Sequence, residues 1–176
     1  KYRNKNLNFT FRELSVREIE KILRRMKKSK SSGIDGISTE LIRPITKIIA
    51  PALTTLVNHS LMDGIFPDIY KCARITCIYK GKGSKSDMSN YRPISNLQVF
   101  GKVQEIAADL QLRKFCETNG LFGTHQHGFR SSRSTATALL TASVRWRMKK
   151  DKRKHQGVLL FDLSAAYDML NRDLFL

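Results

Sequence analysis

A chain of 176 residues in which 41% are hydrophobic is large and apolar enough to bury a core, which excludes wholesale disorder. Its 32 Lys and Arg against 15 Asp and Glu leave a net charge of +17, so nucleic acid is the expected partner, ahead of a membrane surface or a ribosome-like or histone-like role. No apolar stretch is long enough to span a bilayer, no signal-peptide pattern opens the chain, and three irregularly spaced cysteines (Cys72, Cys77, Cys116) argue for a reducing interior, nucleus or cytoplasm.

Ser15 opens a capping box with Glu18, and Val16, Ile19, Ile22, Leu23 and Met26 then recur at helical spacing. The opposite face carries Lys21, Arg24, Arg25, Lys27 and Lys28, which is either a solvated face or a binding surface. Ser31 to Gly36 reads as a loop. From Leu41 to Leu61 the apolar spacing predicts a helix, bent or divided at Pro44 and Pro51 and stopped by Gly64.

Residues 73–80 are rich in β-formers and predict a strand, followed by a basic turn from Gly81 to Lys85. Pro93 forces Arg92 into an extended conformation. A further helix runs through Val99, Val103, Ile106, Leu110 and Phe115 and closes near Gly120. A polar loop over 124–133 precedes a helix from Ser134 to Lys150, and the charged run 149–154 predicts an exposed turn. The apolar run from Gly157 to Phe161 predicts a strand buried on both faces. Residues 165–176 read as helix. Lys1 in place of Met, and an end inside an apolar run, suggest a segment cut from a longer protein.

Two constellations invite chemistry. Cys72, Cys77, His125 and His127 could be gathered around zinc, but their spacing matches no ligand pattern. Asp162 directly follows the buried strand, where a carboxylate needs a partner: either it binds a metal, or it caps the next helix beside Ser164.

Read together, several segments carry a resemblance. Phe161-Asp162-Leu163-Ser164-Ala165-Ala166-Tyr167-Asp168 resembles the first catalytic palm motif of non-LTR (LINE-type) retrotransposon reverse transcriptases. Ser89-Asn90-Tyr91-Arg92-Pro93-Ile94-Ser95 resembles their fingers motif, and Gln126 to Thr135 the block between the two. Ser32-Gly33-Ile34-Asp35-Gly36-Ile37 resembles the short block that precedes them all and is shared with group II intron proteins. The four blocks stand in the family's order. Tyr70, Cys77 and Ala165 depart from its usual residues without removing a catalytic group.

The resemblance implies an α+β right-hand polymerase fold, here incomplete. Residues 1–30 would be an N-terminal extension with the first helix, 31–156 the helix-rich fingers, and 157–176 the first strand and helix of the palm. It implies two Mg²⁺ ions, with Mn²⁺ as an alternative, and an RNA template, a DNA primer and dNTP as partners, without a membrane. Asp162 and the backbone carbonyl of Leu163 would hold metal. Arg92, Lys80, Ala166 and Tyr167 would meet the nucleotide, with the Tyr167 ring excluding a 2′-hydroxyl. Gln126, Phe129, Arg130, Arg133 and Lys82 would lie along template and nucleotide. Asp168 would make a structural hydrogen bond. The second Asp-Asp motif is absent, so this segment alone is expected not to polymerise DNA. The rival expectation is a noncatalytic basic RNA-binding module or a decayed transposon copy.

Overall fold

The structure, a computed structural model, describes residues 7–163, 170, 171 and 174. The predicted helix over 165–176 lies largely outside the described residues, as do Ala166, Tyr167 and Asp168. Helices and a small antiparallel sheet make a mixed α+β chain, in two compact units, residues 1–122 and 123–176.

The first unit is built on three helices. Helix α1 (Val16–Arg25) starts at Ser15, whose side chain accepts from Glu18 N while the Glu18 carboxylate accepts from Ser15 N at 2.9 Å. Its apolar face buries Ile19, Ile22 and Leu23. A short helix, α2 (Thr39–Ile42), passes through a 3₁₀ turn at Arg43–Ile45 into α3 (Thr46–Asp63). The chain therefore divides at Pro44, as expected, but α3 runs unbroken through Pro51. That ring removes one backbone donor, while Ala50, Leu53 and Thr54 hold the same turn against the core. Gly64 ends α3 in the left-handed region at φ 67°, as expected.

Helix α4 (Val99–Thr118) closes the core with Val99, Val103 and Ala107. Full burial of a valine such as Val99 or Val103 contributes about 1.5–3 kcal/mol. The extended segment before α1 is tied down by two amides. Gln111 of α4 brackets the backbone of Arg12 at 2.9 and 3.1 Å, and Asn58 of α3 brackets that of Leu14 at 2.8 and 2.9 Å.

Between α3 and α4 stands a hairpin. Strand β1 (Arg74–Tyr79) pairs antiparallel with β2 (Tyr91–Asn96), with Tyr79 opposite Tyr91, Ile78 opposite Arg92 and Thr76 opposite Ile94. Opposed residues share a face, so Arg92 lies with Ile78, Thr76 and Ile94, and the tyrosines lie on the other side. Both faces are open to solvent.

The second unit contains a folded loop and α5 (Thr135–Asp151), capped by Ser134 and Thr137. Among the described residues, no side chain of α5 is buried. The expected buried strand over 157–161 does not form. These residues have no regular structure, and Leu160 is 93% and Phe161 89% exposed. A strand needs a ladder partner, and among the described residues none lies alongside this run.

Candidate nucleic-acid interface

The basic turn between β1 and β2 is self-supporting. Gly81 and Gly83 take φ values of 78° and 82°, which only glycine adopts without strain. Tyr79 donates its hydroxyl to the Gly83 carbonyl, and Tyr91 donates to that of Lys85 at 2.9 Å. The two rings are 5.5 Å apart, and the Lys85 ammonium lies 5.9 Å over Tyr79. Asp87 accepts from Ser89 N at 2.8 Å, and hydrogen bonds from Ser89 hold its carboxyl below the usual range. These internal contacts define the conformation of the turn.

Lys80 continues the ladder, its N–H donating to Asn90 O at 2.8 Å, and its ammonium curls onto Ser89 O at 2.6 Å. Lys82 is exposed in the turn, and Arg92, the second residue of β2 and the first on its face, is exposed close to that turn. Among the described residues, ion pairs engage Arg12, Arg24, Lys28, Lys71 and Arg113, and none reaches Lys82, Lys85 or Arg92. The hairpin therefore presents un-neutralised cations beside apolar side chains, a surface suited to phosphate and to the flat faces of bases.

In the second unit, the loop over 123–133 wraps on its own carbonyls. Arg130 Nη1 donates to Gly123 O at 3.1 Å, and Arg133 Nη1 donates to Thr124 O at 3.1 Å. Gln126 N also donates to Gly123 O at 3.1 Å, and the residue is exposed. His127 meets Thr137 Oγ1 at 2.9 Å. Desolvation first, then the nearby cationic Arg133, lowers its pKa, which favours a neutral imidazole in that contact. Phe129 and Ser132 sit at φ 57° and 58°, and Phe129 is 80% exposed. A non-glycine residue there is strained by about 1–2 kcal/mol, so an exposed ring held in that conformation is conspicuous. Sequence spacing gave no sign of it.

Asp162 and Leu163 are exposed after the unstructured apolar run. Among the described residues, no cluster of three or more His, Cys, Asp or Glu side chains could hold a metal ion. One carboxylate and one carbonyl do not hold two divalent ions against water, so the described residues do not by themselves fit the ion pair.

The family model for reverse transcriptase (RNA-dependent DNA polymerase) matches residues 80–174, a span that contains Lys80, Lys82, Arg92, the 126–133 block and Asp162. The chain belongs to the reverse transcriptase family. The 115 kDa protein in type-1 retrotransposable element R1DM of Drosophila melanogaster is 32% identical over 126 residues, 71% of this chain and 12% of that protein. A protein of the same organism named as an RNA-directed DNA polymerase from transposon BS is 25% identical over 169 residues, 95% of this chain and 18% of its own length. The RNA-directed DNA polymerase from mobile element jockey, also from Drosophila melanogaster, is 26% identical over 156 residues, 88% of this chain and 17% of its own. The resemblance to non-LTR retrotransposon enzymes is borne out by these relatives, and this reverse transcriptase chain spans less than a fifth of the length of each. Among the described residues, no helix is long and apolar enough to cross a membrane.

Proposed function

We propose that the chain is the fingers and the start of the palm of a right-hand RNA-directed DNA polymerase that copies retrotransposon RNA into DNA, acting inside the cell. The observation that carries this reading is the match of the reverse transcriptase family model to residues 80–174, a span that holds Lys80, Lys82, Arg92, the 126–133 block and Asp162. Arg92 and Lys80 contact the incoming dNTP. Lys82, Gln126, Phe129, Arg130 and Arg133 lie along the RNA template and its DNA primer. Guanidinium suits this work because two parallel N–H groups match two phosphate oxygens. Asp162 and the Leu163 carbonyl supply part of a divalent-cation site, for Mg²⁺ or Mn²⁺, whose other ligands lie outside the described residues. Ala166 and Tyr167 bound the sugar.

The test is a primer-extension assay on the full-length parent carrying Asp162→Asn. Loss of at least about a hundredfold in rate is expected for removal of a metal-holding carboxylate, with primer–template binding retained. Activity equal to the parent's would remove Asp162 from the site. The purified 176-residue chain is expected to incorporate no labelled dNTP.

The net charge of +17 favours a second reading, a noncatalytic RNA-binding module. Filter binding at rising salt tests this second reading. A module of this kind binds RNA at low salt with weak sequence preference and a steep salt slope, whereas no affinity at low salt would dismiss it.

A further inference from the structure

The block from Ser32 to Ile37 carries no obvious reactive group, yet it is tightly built. Ser32 and Ser38 form an antiparallel bridge, Gly36 N donates to Gly33 O at 3.4 Å, and Asp35 accepts from Ile37 N at 3.0 Å. The turn so formed pushes Gly33 against the start of α4. A Cβ on Gly33 would stand 2.7 Å from Gln98 N and 2.8 Å from Gln98 Cα, a clash with backbone that no side-chain rotation relieves.

Gln98 is 3% exposed and lies two residues beyond the end of β2. Its Nε2 donates to Ile69 O at 2.9 Å, and Ile69 lies five residues ahead of the start of β1. The next residue, Tyr70, leaves 3.1 Å between its Cβ and the place a Cβ on Gly101 would take. Burial, and then the Asp35 carboxylate, raise the pKa of the Tyr70 hydroxyl, which agrees with this turn bearing on the same segment. The chain entering the hairpin, the chain leaving it and the Gly33 turn therefore meet at one point. Both faces of the hairpin are open to solvent, so its direction is set at this root.

We infer that the Gly33 turn is a latch on the root of the hairpin, with Gly33 and Gln98 as positioning residues that fix where Lys80, Lys82 and Arg92 are presented. The functional half of this inference rests on the reading of the hairpin as nucleotide-facing and template-facing; the structural half does not.

Backbone NMR relaxation on the 176-residue chain tests the structural half, with Gly33→Ala and the milder Gln98→Ala, which removes the tie to Ile69 and the buried side chain beside Gly33 but leaves the backbone free of a clash. In both variants the order parameters of residues 76–94 are expected to fall below about 0.6, from near 0.85 for rigid backbone, while α1 and α3 keep theirs. Unchanged order in the hairpin of both variants, or a loss spread equally over α1 and α3, overturns the latch. In the full-length parent, Gln98→Ala is expected to raise the dNTP KM about tenfold, with kcat and primer–template affinity little changed. An unchanged KM beside a loosened hairpin overturns the presentation of Lys80 and Arg92. If the unaltered parent fails to polymerise, the proposed function falls while the relaxation result still decides the latch.

Discussion

Asn58 and Leu14 are joined by a two-bond ring: the Leu14 N–H donates to Asn58 Oδ1 at 2.8 Å, and Asn58 Nδ2 donates to the Leu14 carbonyl at 2.9 Å. The amide stands where a neighbouring strand would stand, and Leu14 itself is buried. The side chain thereby fixes the angle at which the N-terminal segment enters α1.

Asn58→Ala leaves both backbone groups of Leu14 without this partner, at a cost of about 1–3 kcal/mol. Urea unfolding followed by circular dichroism should show a lower midpoint with an unchanged slope. Asn58→Asp keeps the acceptor but sets a carboxylate oxygen against the Leu14 carbonyl, so its midpoint should also lie below the unaltered chain's. A midpoint for Asn58→Ala equal to the unaltered chain's would mean that water replaces the amide fully.

Glu18 gives the chain an acid-sensitive contact. The Arg12 guanidinium, first, and then the Ser15 backbone N–H hold its carboxyl down to about 2. A carboxyl whose pKa is lower folded than unfolded contributes stability that is complete above its ordinary range near 4.5 and is lost as pH falls toward 2. The side chain is 37% exposed, so solvent screening limits the contribution to on the order of 1 kcal/mol. The unfolding midpoint should therefore drop between pH 5 and pH 2 (rough bounds from the linkage relation), and Glu18→Gln should flatten part of that drop. Parallel pH profiles for the two proteins would show that the contact carries no linkage.

Phe129 poses stability against binding. Its backbone is left-handed at φ 57° and its ring is mostly in water. Phe129→Gly should raise stability by roughly 0.5–1 kcal/mol, because the strain is relieved and little apolar burial is forfeited. If the ring stacks on nucleic acid, the same variant should weaken single-stranded RNA binding by about 1–3 kcal/mol. Filter binding beside a melting curve checks both signs. A variant that is less stable, with RNA affinity intact, would give the ring a packing role instead.

Much of the first unit was legible in the sequence because its signals are local. The capping box at Ser15 and Glu18, the helix stop at Gly64 and the extended Tyr91–Ser95 segment each depend on residues a few positions apart. The tie between Gln98 and Ile69, and the seat of Gly33 on Gln98, join residues 29 and 65 positions apart, and no periodicity reports them. The sequence likewise placed Arg130 and Arg133 in a family block but not the carbonyls they reach, since spacing says nothing of where a guanidinium turns. The strand expected over 157–161 shows the converse limit. β-forming residues supply propensity, but a strand is completed by a neighbour.

That same run has a consequence for any preparation of the chain. Val158, Leu159, Leu160 and Phe161 are four adjoining apolar side chains in water, with no ladder along either flank among the described residues. An exposed apolar segment of this kind can template pairing with a copy of itself, a tendency that a net charge of +17 opposes. Salt that screens this repulsion would favour such pairing, so high-salt buffers would weaken the electrostatic guard against aggregation.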